Sequence, residues 1–221
     1  MRALFLILTV FLCACSGYQV KNLAKSDVDL VADQFIAESR TLVLELTAKL
    51  YKRNPRQLRA SPGMTLEGRL AQLRANPGPL VFDELAGREG IDAMNLAFDP
   101  EFSGDRVFAL VVGLGGMLRQ AYGYKQEMFL FDPLNGEALR TSARNVEVLA
   151  WKLKNSRQAN GRFYLVSHQS GGRVDNLSFE RLFGKLIALQ DMMARIAGDA
   201  NDRAVNTAVH TVSRVFIPLP I

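Results

Sequence analysis

Residues 106–122 read RVFALVVGLGGMLRQAY, and whether this apolar run is a helix or a strand decides the fold. At the helical period of about 3.6, Ala109, Gly113 and Gly116 fall on one face, and Leu110, Leu114, Leu118 and Ala121 on another. A helix over residues 105–122 would then be buried on every side, with a small-residue face that admits a neighbouring helix at close range. As a strand, residues 107–112 would run straight into Gly113, Gly115 and Gly116 and would need a parallel sheet around them.

The flanking sequence supplies helical stripes instead. Val28, Val31, Phe35, Leu42, Leu46 and Leu50 follow one another at steps of three, four and seven, with Asp29, Asp33, Arg40, Glu45, Lys49 and Lys52 off the stripe. This predicts a long amphipathic helix from Asp27, ended by Asn54 and Pro55. Leu66, Leu70 and Leu73 mark a shorter helix, bracketed by Ser61, Pro62 and Gly63 on one side and Pro77, Gly78 and Pro79 on the other. Leu139, Ala143, Val146, Leu149, Ala150 and Leu153 line a third, closing near Asn155. Phe179, Leu182, Phe183, Leu186, Ile187, Met193 and Ile196 line another, with Gly198 as its stop. Val205, Val209, Val212 and Phe216 define a last helix before Pro218 and Pro220. Phe163 to Val166 is the best strand. The pattern therefore predicts a mainly α, bundle-like single domain with at most a few short strands.

Two motifs invite a chemical reading. The run from Val107 through Gly113, Gly115 and Gly116, with Met128 to Phe131 and then Asp132 following, resembles the dinucleotide-binding fingerprint. The resemblance implies a pyrophosphate at those glycines and a ribose hydroxyl at Asp132. It departs from the pattern at Leu118, where a small residue is required, and no alternation of strands and helices surrounds it. The second motif is Phe163 to Val166 followed by Ser167, His168, Gln169, Ser170, Gly171 and Gly172. It resembles the nucleophile elbow of α/β-hydrolases, which implies Ser170 as nucleophile and His210 as base, with Asp191, Asp199 or Asp202 between them. His168 stands at the first glycine position, and the next helix starts near Asn176 or Ser178, so a turn between a short strand and a capped helix accounts for the same residues. With two histidines in the chain and neither set beside a second ligand at i+3 or i+4, no metal site and no cofactor are expected.

The N-terminus speaks to location. Arg2 precedes an apolar run from Ala3 to Leu12 broken only by Thr9, which as a helix is too short to cross a hydrocarbon core of about 30 Å. Leu12, Cys13, Ala14 and Cys15, followed by Ser16, resemble the lipobox of bacterial lipoproteins. That resemblance implies cleavage by signal peptidase II, diacylglycerol on Cys15, and, with Ser16 rather than Asp after the cysteine, transport to the outer membrane. Residues 1–14 are then signal peptide, 15–26 the lipidated cysteine and a short tether, and 27–221 a helical periplasmic domain without thiols. Such a body resembles the uncharacterised helical lipoproteins of Gram-negative envelopes.

Charge and the C-terminus narrow the partners. Once Arg2 leaves with the signal, 26 basic side chains face 22 acidic ones, mixed in sign along the chain. That is the pattern of a solvated surface, without the basic stripe and interleaved aromatics that nucleic acid needs. Lys21 and Lys25 lie close enough to the lipid to meet anionic headgroups. Residues 215–221 are apolar and uncharged with Pro218 and Pro220, so the tail either straps the core or faces a partner or the bilayer. The leading expectation is an outer-membrane-anchored, non-enzymatic periplasmic protein that binds or positions another envelope component. The alternatives are a serine hydrolase using Ser170 and His210, a nucleotide-dependent enzyme using Gly113 to Gly116, and a carrier with an acyl-sized cavity of roughly 300 Å³ or more between its helices.

Overall fold

The computed structural model describes residues 24–75, 77–167, 169–170, 173–174 and 177–215, with 169–170, 173–174 and 200–215 described by backbone alone. The lipobox with Cys15, and the apolar tail beyond Val215, lie outside the described residues. Among the described residues six α-helices make the fold: α1 (Asp27–Arg53), α2 (Leu66–Ala75), α3 (Gly90–Leu96), α4 (Arg106–Ala121), α5 (Gly136–Asn155) and α6 (Ser178–Val215). The protein is mainly α.

Helix α4 is the apolar run of residues 106–121, and it is the centre of the molecule. Asp105 caps it, its Oδ1 accepting from the Phe108 amide at 2.9 Å, and every residue from 107 to 118 is buried. The small face admits a neighbour, as its spacing predicts: a Cβ on Gly113 would stand 2.4 Å from the Met94 amide nitrogen and 2.5 Å from the Gly90 carbonyl oxygen. The neighbour is α3, a short helix that nothing in the apolar spacing of residues 80–104 signals. Around α4 pack α1, α3 and α5, while α6 lies against α5 and α1.

Helix α1 starts where a capping box sets it. Ser26 Oγ accepts from the Asp29 amide at 3.2 Å, and Asp29 Oδ2 accepts from the Ser26 amide at 2.7 Å. It ends at Asn54, whose side chain holds the Leu50 and Val166 carbonyls, each at 2.9 Å. The stripe of α1 needs correcting in its first half. Val31 is 36 % exposed and Phe35 half-buried, whereas Ala32, Ile36 and Ser39 face inward and lead into Leu42, Val43, Leu46 and Leu50. The reason is small and polar residues on the packed side: Gln190 of α6 donates to Ser39 Oγ at 3.2 Å, so the contact there is polar and close rather than a row of large apolar side chains.

Two further expectations fail. Gly198 does not stop a helix: α6 runs unbroken through it to Val215, one helix where two are expected. An interior glycine costs a helix about 1 kcal/mol, too little to break one that packs along α5 and α1. Phe163 to Val166 form no strand; Phe163 makes an isolated bridge with Arg157, and the sole paired strands among the described residues are β1 (Gln169–Ser170) and β2 (Arg173–Val174), antiparallel. Asn54 takes both the amide and the carbonyl of Val166, which satisfies that backbone without a sheet.

A buried polar cluster pins the ends of α1, α2 and α4 together. The fully buried Arg69 donates from Nη1 to Glu84 Oε1 at 2.5 Å and from Nη2 to Glu84 Oε2 at 2.8 Å, and Nη2 lies 3.2 Å from Asp105 Oδ2. The Tyr51 hydroxyl donates to the same Asp105 oxygen at 2.7 Å, and the Arg69 guanidinium stacks 3.8 Å over the Phe108 ring. Burial pushes the Asp105 carboxyl up against the pull of these donors, while the hydrogen bonds from Arg69 hold Glu84 down. With Arg69 and Asp105 closed to solvent, this cluster is a tie between elements.

Candidate functional site

A cavity lies where α1, α2 and α4 diverge. It holds about 260 Å³ and is walled by the apolar side chains of Ile36, Val43, Leu44, Leu73, Leu80 and Leu118, with the Gly115 backbone between them. Gly115 keeps it open: a Cβ there would come within 3.1 Å of Leu80 Cδ1 and 3.7 Å of Val43 Cγ1, in the space between those two side chains. The polar lining is Ser39, Arg40, Arg74, Arg119, Tyr122 and Lys125. Four cations therefore border one apolar space, and no carboxylate lines it.

The sources of those cations differ. Arg119 leaves the end of α4 and donates to the Leu73 carbonyl in the last turn of α2 at 2.7 Å and to the Gly78 carbonyl in the connection that follows at 2.9 Å. This explains how an arginine ends an otherwise apolar helix: it fastens the loop that roofs the cavity. Burial, and then the nearby Arg40 charge, bring its guanidinium down to about 10. Arg40 is less well served. Its Nη1 reaches Gln126 Oε1 at 3.5 Å, the far limit of a hydrogen bond, while Nε and Nη2 are shielded from solvent without a hydrogen-bond partner. Burial alone pulls Arg40 down from the ordinary arginine value. A shielded donor left unmade costs about 1–3 kcal/mol, and more when it is charged. Lys125 is answered at the rim by Asp132 at 3.0 Å, and Arg74 stands exposed.

The residues singled out from sequence fare differently. Gly113 and Gly116 lie in the middle of α4 against α3, and among the described residues no strand precedes them, so they cannot present amides at a helix N-terminus to a pyrophosphate. Asp132 sits in the 127–132 loop, where it accepts from Lys125 and from the Phe129 amide at 3.1 Å; the Lys125 bond holds it below the usual carboxylate range. Of the four fingerprint candidates, Gly115 alone lines the cavity, as wall rather than phosphate cradle. Ser170 belongs to β1, which pairs antiparallel with β2, and precedes α6 by eight residues, so it does not stand where a strand runs straight into a helix; His210 lies within α6. Among the described residues, no group of three or more His, Cys, Asp and Glu is arranged to share a metal ion, and no helix is long and apolar enough to cross a membrane.

Arg40 and Arg119 carry the electrostatics, yet the sequence pattern files Arg40 with the solvated charges of α1. The available signal was Arg119, a charge at the end of a run that burial otherwise keeps free of charge. The chain matches no protein-family model, no curated protein and no solved structure.

Proposed function

We propose that this chain is a lipid-anchored envelope protein, non-enzymatic, whose helical body holds a small anion with an apolar tail, such as a fatty acid or a single-chain phosphate lipid. The anchor rests on the lipobox resemblance at Cys15, and Ser16 favours the outer membrane. The observation that carries the binding role is the cavity of about 260 Å³, apolar on its walls and bordered by four cations and no acid, with two nitrogens of Arg40 unpartnered. Its size lies just under the ~300 Å³ at which pockets for drug-sized ligands begin. One short or partly inserted acyl chain fits it, with the head group at the arginines. A carboxylate or phosphate there would take charge-assisted hydrogen bonds from Arg40 and relieve its unmade donors.

The test is thermal unfolding of the purified protein with laurate or with dodecanol, which share a chain and differ in head charge. A ligand at a hundred times its Kd stabilises by about 2.7 kcal/mol, and for a chain of this size each kcal/mol raises Tm by roughly 2–4 °C. Laurate should raise Tm by about 5–10 °C and dodecanol by much less, and Arg40→Gln should remove the difference. Equal shifts from both compounds, or none from either, would overturn the reading.

A second reading, positioning of an envelope protein, is favoured by the exposed Ile91 of α3 and Val148 of α5, which line one groove between these helices. Val148→Asp would abolish a pull-down from envelope extracts on that reading and leave laurate binding intact.

A further inference from the structure

We infer that the loop of residues 127–132 is a second membrane contact, which seats its apolar tip in the leaflet that carries the acyl chains of Cys15. The inference rests on the lipid-anchor reading and goes beyond it, because an anchor alone does not say which face of the body meets the leaflet. Phe131 is 93 % exposed and Leu130 60 %, next to the partly exposed Phe129. Three consecutive apolar side chains at the surface are unfavourable in water unless something covers them. They are held in place. The Asp132 amide donates back to the Phe129 carbonyl at 2.7 Å, Asp132 Oδ2 accepts from the Phe129 amide, and the Met128 amide donates to Asp33 Oδ1 at 2.7 Å. The result is a tight turn fastened to α1 that projects Phe131 outward.

The occupant follows from where the chain enters. The described chain begins at Ala24, whose carbonyl accepts from the Leu130 amide at 3.1 Å. Lys25 packs 4.7 Å from the centre of the Phe129 ring and pairs with Asp33 and Glu127. The turn is therefore bonded to the point at which the tether joins the body. Nine residue steps separate Cys15 from Ala24, a reach of at most about 30 Å. Whatever leaflet holds the acyl chains lies within that distance of Ala24, and apolar tips sit readily at the headgroup boundary.

The experiment uses the full, processed protein carrying Phe131→Trp in a Trp151→Phe background, reconstituted in vesicles of phosphatidylethanolamine and phosphatidylglycerol with or without bromine on the acyl chains. Emission should shift to the blue and fall at least twofold with the brominated lipid. The unmodified protein reports from Trp151, 64 % exposed on α5, and should be quenched far less. Leu130→Asp added to the Phe131→Trp variant should restore the water-like emission. Mass spectrometry of the same sample separates the two claims. A protein acylated on Cys15 whose emission is unquenched overturns this inference and leaves the anchor standing, and the turn then serves a protein partner. A protein with no acyl chain on Cys15 overturns the anchor reading and this inference with it.

Discussion

Gly113→Ala tests the central packing of the fold, because two opposed effects meet at one atom. In an open helix interior the change would stabilise by about 1 kcal/mol through backbone entropy. Here the new Cβ would lie 2.4 Å from the Met94 nitrogen, 2.5 Å from the Gly90 oxygen and 2.5 Å from Met94 Cγ. Two of these three are backbone atoms of α3 and cannot swing aside as a side-chain end would, so α3 must lift from α4. Overpacking a filled core costs about 1–3 kcal/mol, occasionally more. With rigid neighbours the upper end applies, and after the propensity gain the net loss is about 2 kcal/mol. At roughly 2–4 °C per kcal/mol for a domain of this size, Tm should fall by about 4–8 °C. Gly184→Ala is the control, since nothing lies within 4 Å of its Cβ on the exposed side of α6; it should gain about 0.5–1 kcal/mol. Thermal unfolding followed by circular dichroism at 222 nm reads both. A Gly113→Ala protein as stable as the parent, or more so, would mean that α3 does not lie against the small face of α4.

Other perturbations probe the remaining assignments. Arg69→Met should destabilise by about 3–5 kcal/mol in denaturant titration, because it leaves the buried Asp105 without its cation; a loss below 1 kcal/mol would show the cluster to be dispensable. Glu84 has its carboxyl held below its ordinary 4.5 by Arg69, so the stability it contributes is present above that value and lost as pH falls through the depressed one. Glu84→Gln should therefore flatten the acid limb of the Tm–pH curve below about pH 4.5, and an unchanged limb would assign the acid sensitivity to other groups. Cys15→Ser should leave an uncleaved or soluble precursor that incorporates no labelled fatty acid, whereas label retained on the variant would refute lipidation.

The helices were legible where large apolar residues carry the packing. The stripes of α4 and α5 keep their phase because Leu110, Leu114, Leu139, Val146 and Leu153 are also the residues that touch other helices. Legibility fails where small or polar residues pack. Ala32 and Ser39 turn the first half of α1 inward without registering as apolar, and α3 is held by Gly90 and Met94 against Gly113, an approach that depends on missing side chains. Punctuation fails for a related reason: Gly198 is a weak stop signal beside a packed turn, and Met193, Ala194 and Ala197 just before it are buried with Ala32 and Ile36 of α1 and Leu139 of α5. The strand expected at Phe163 to Val166 is lost to a single distant side chain, Asn54, whose amide gives and takes the hydrogen bonds a partner strand would have supplied.

The candidate site was illegible because its meaning is relational. Arg40, Arg74, Arg119 and Lys125 come from α1, the end of α2, the end of α4 and the turn beyond it, and no short motif joins them. A charge off an apolar stripe reads as solvated, and Arg40 differs from Lys49 or Lys52 only in what stands opposite it. That difference has a physical cost. Arg119 answers its burial with the carbonyls of Leu73 and Gly78, whereas Arg40 keeps two donors unmade beside a second guanidinium. A methionine at position 40 would remove the like-charge pair and the unmet donors while still covering the apolar wall. Arg40→Met should therefore raise the stability of the unliganded protein and abolish laurate stabilisation together. A variant that loses stability without ligand would show that Arg40 serves the fold, and one that binds laurate as the parent does would move the head-group site away from Arg40.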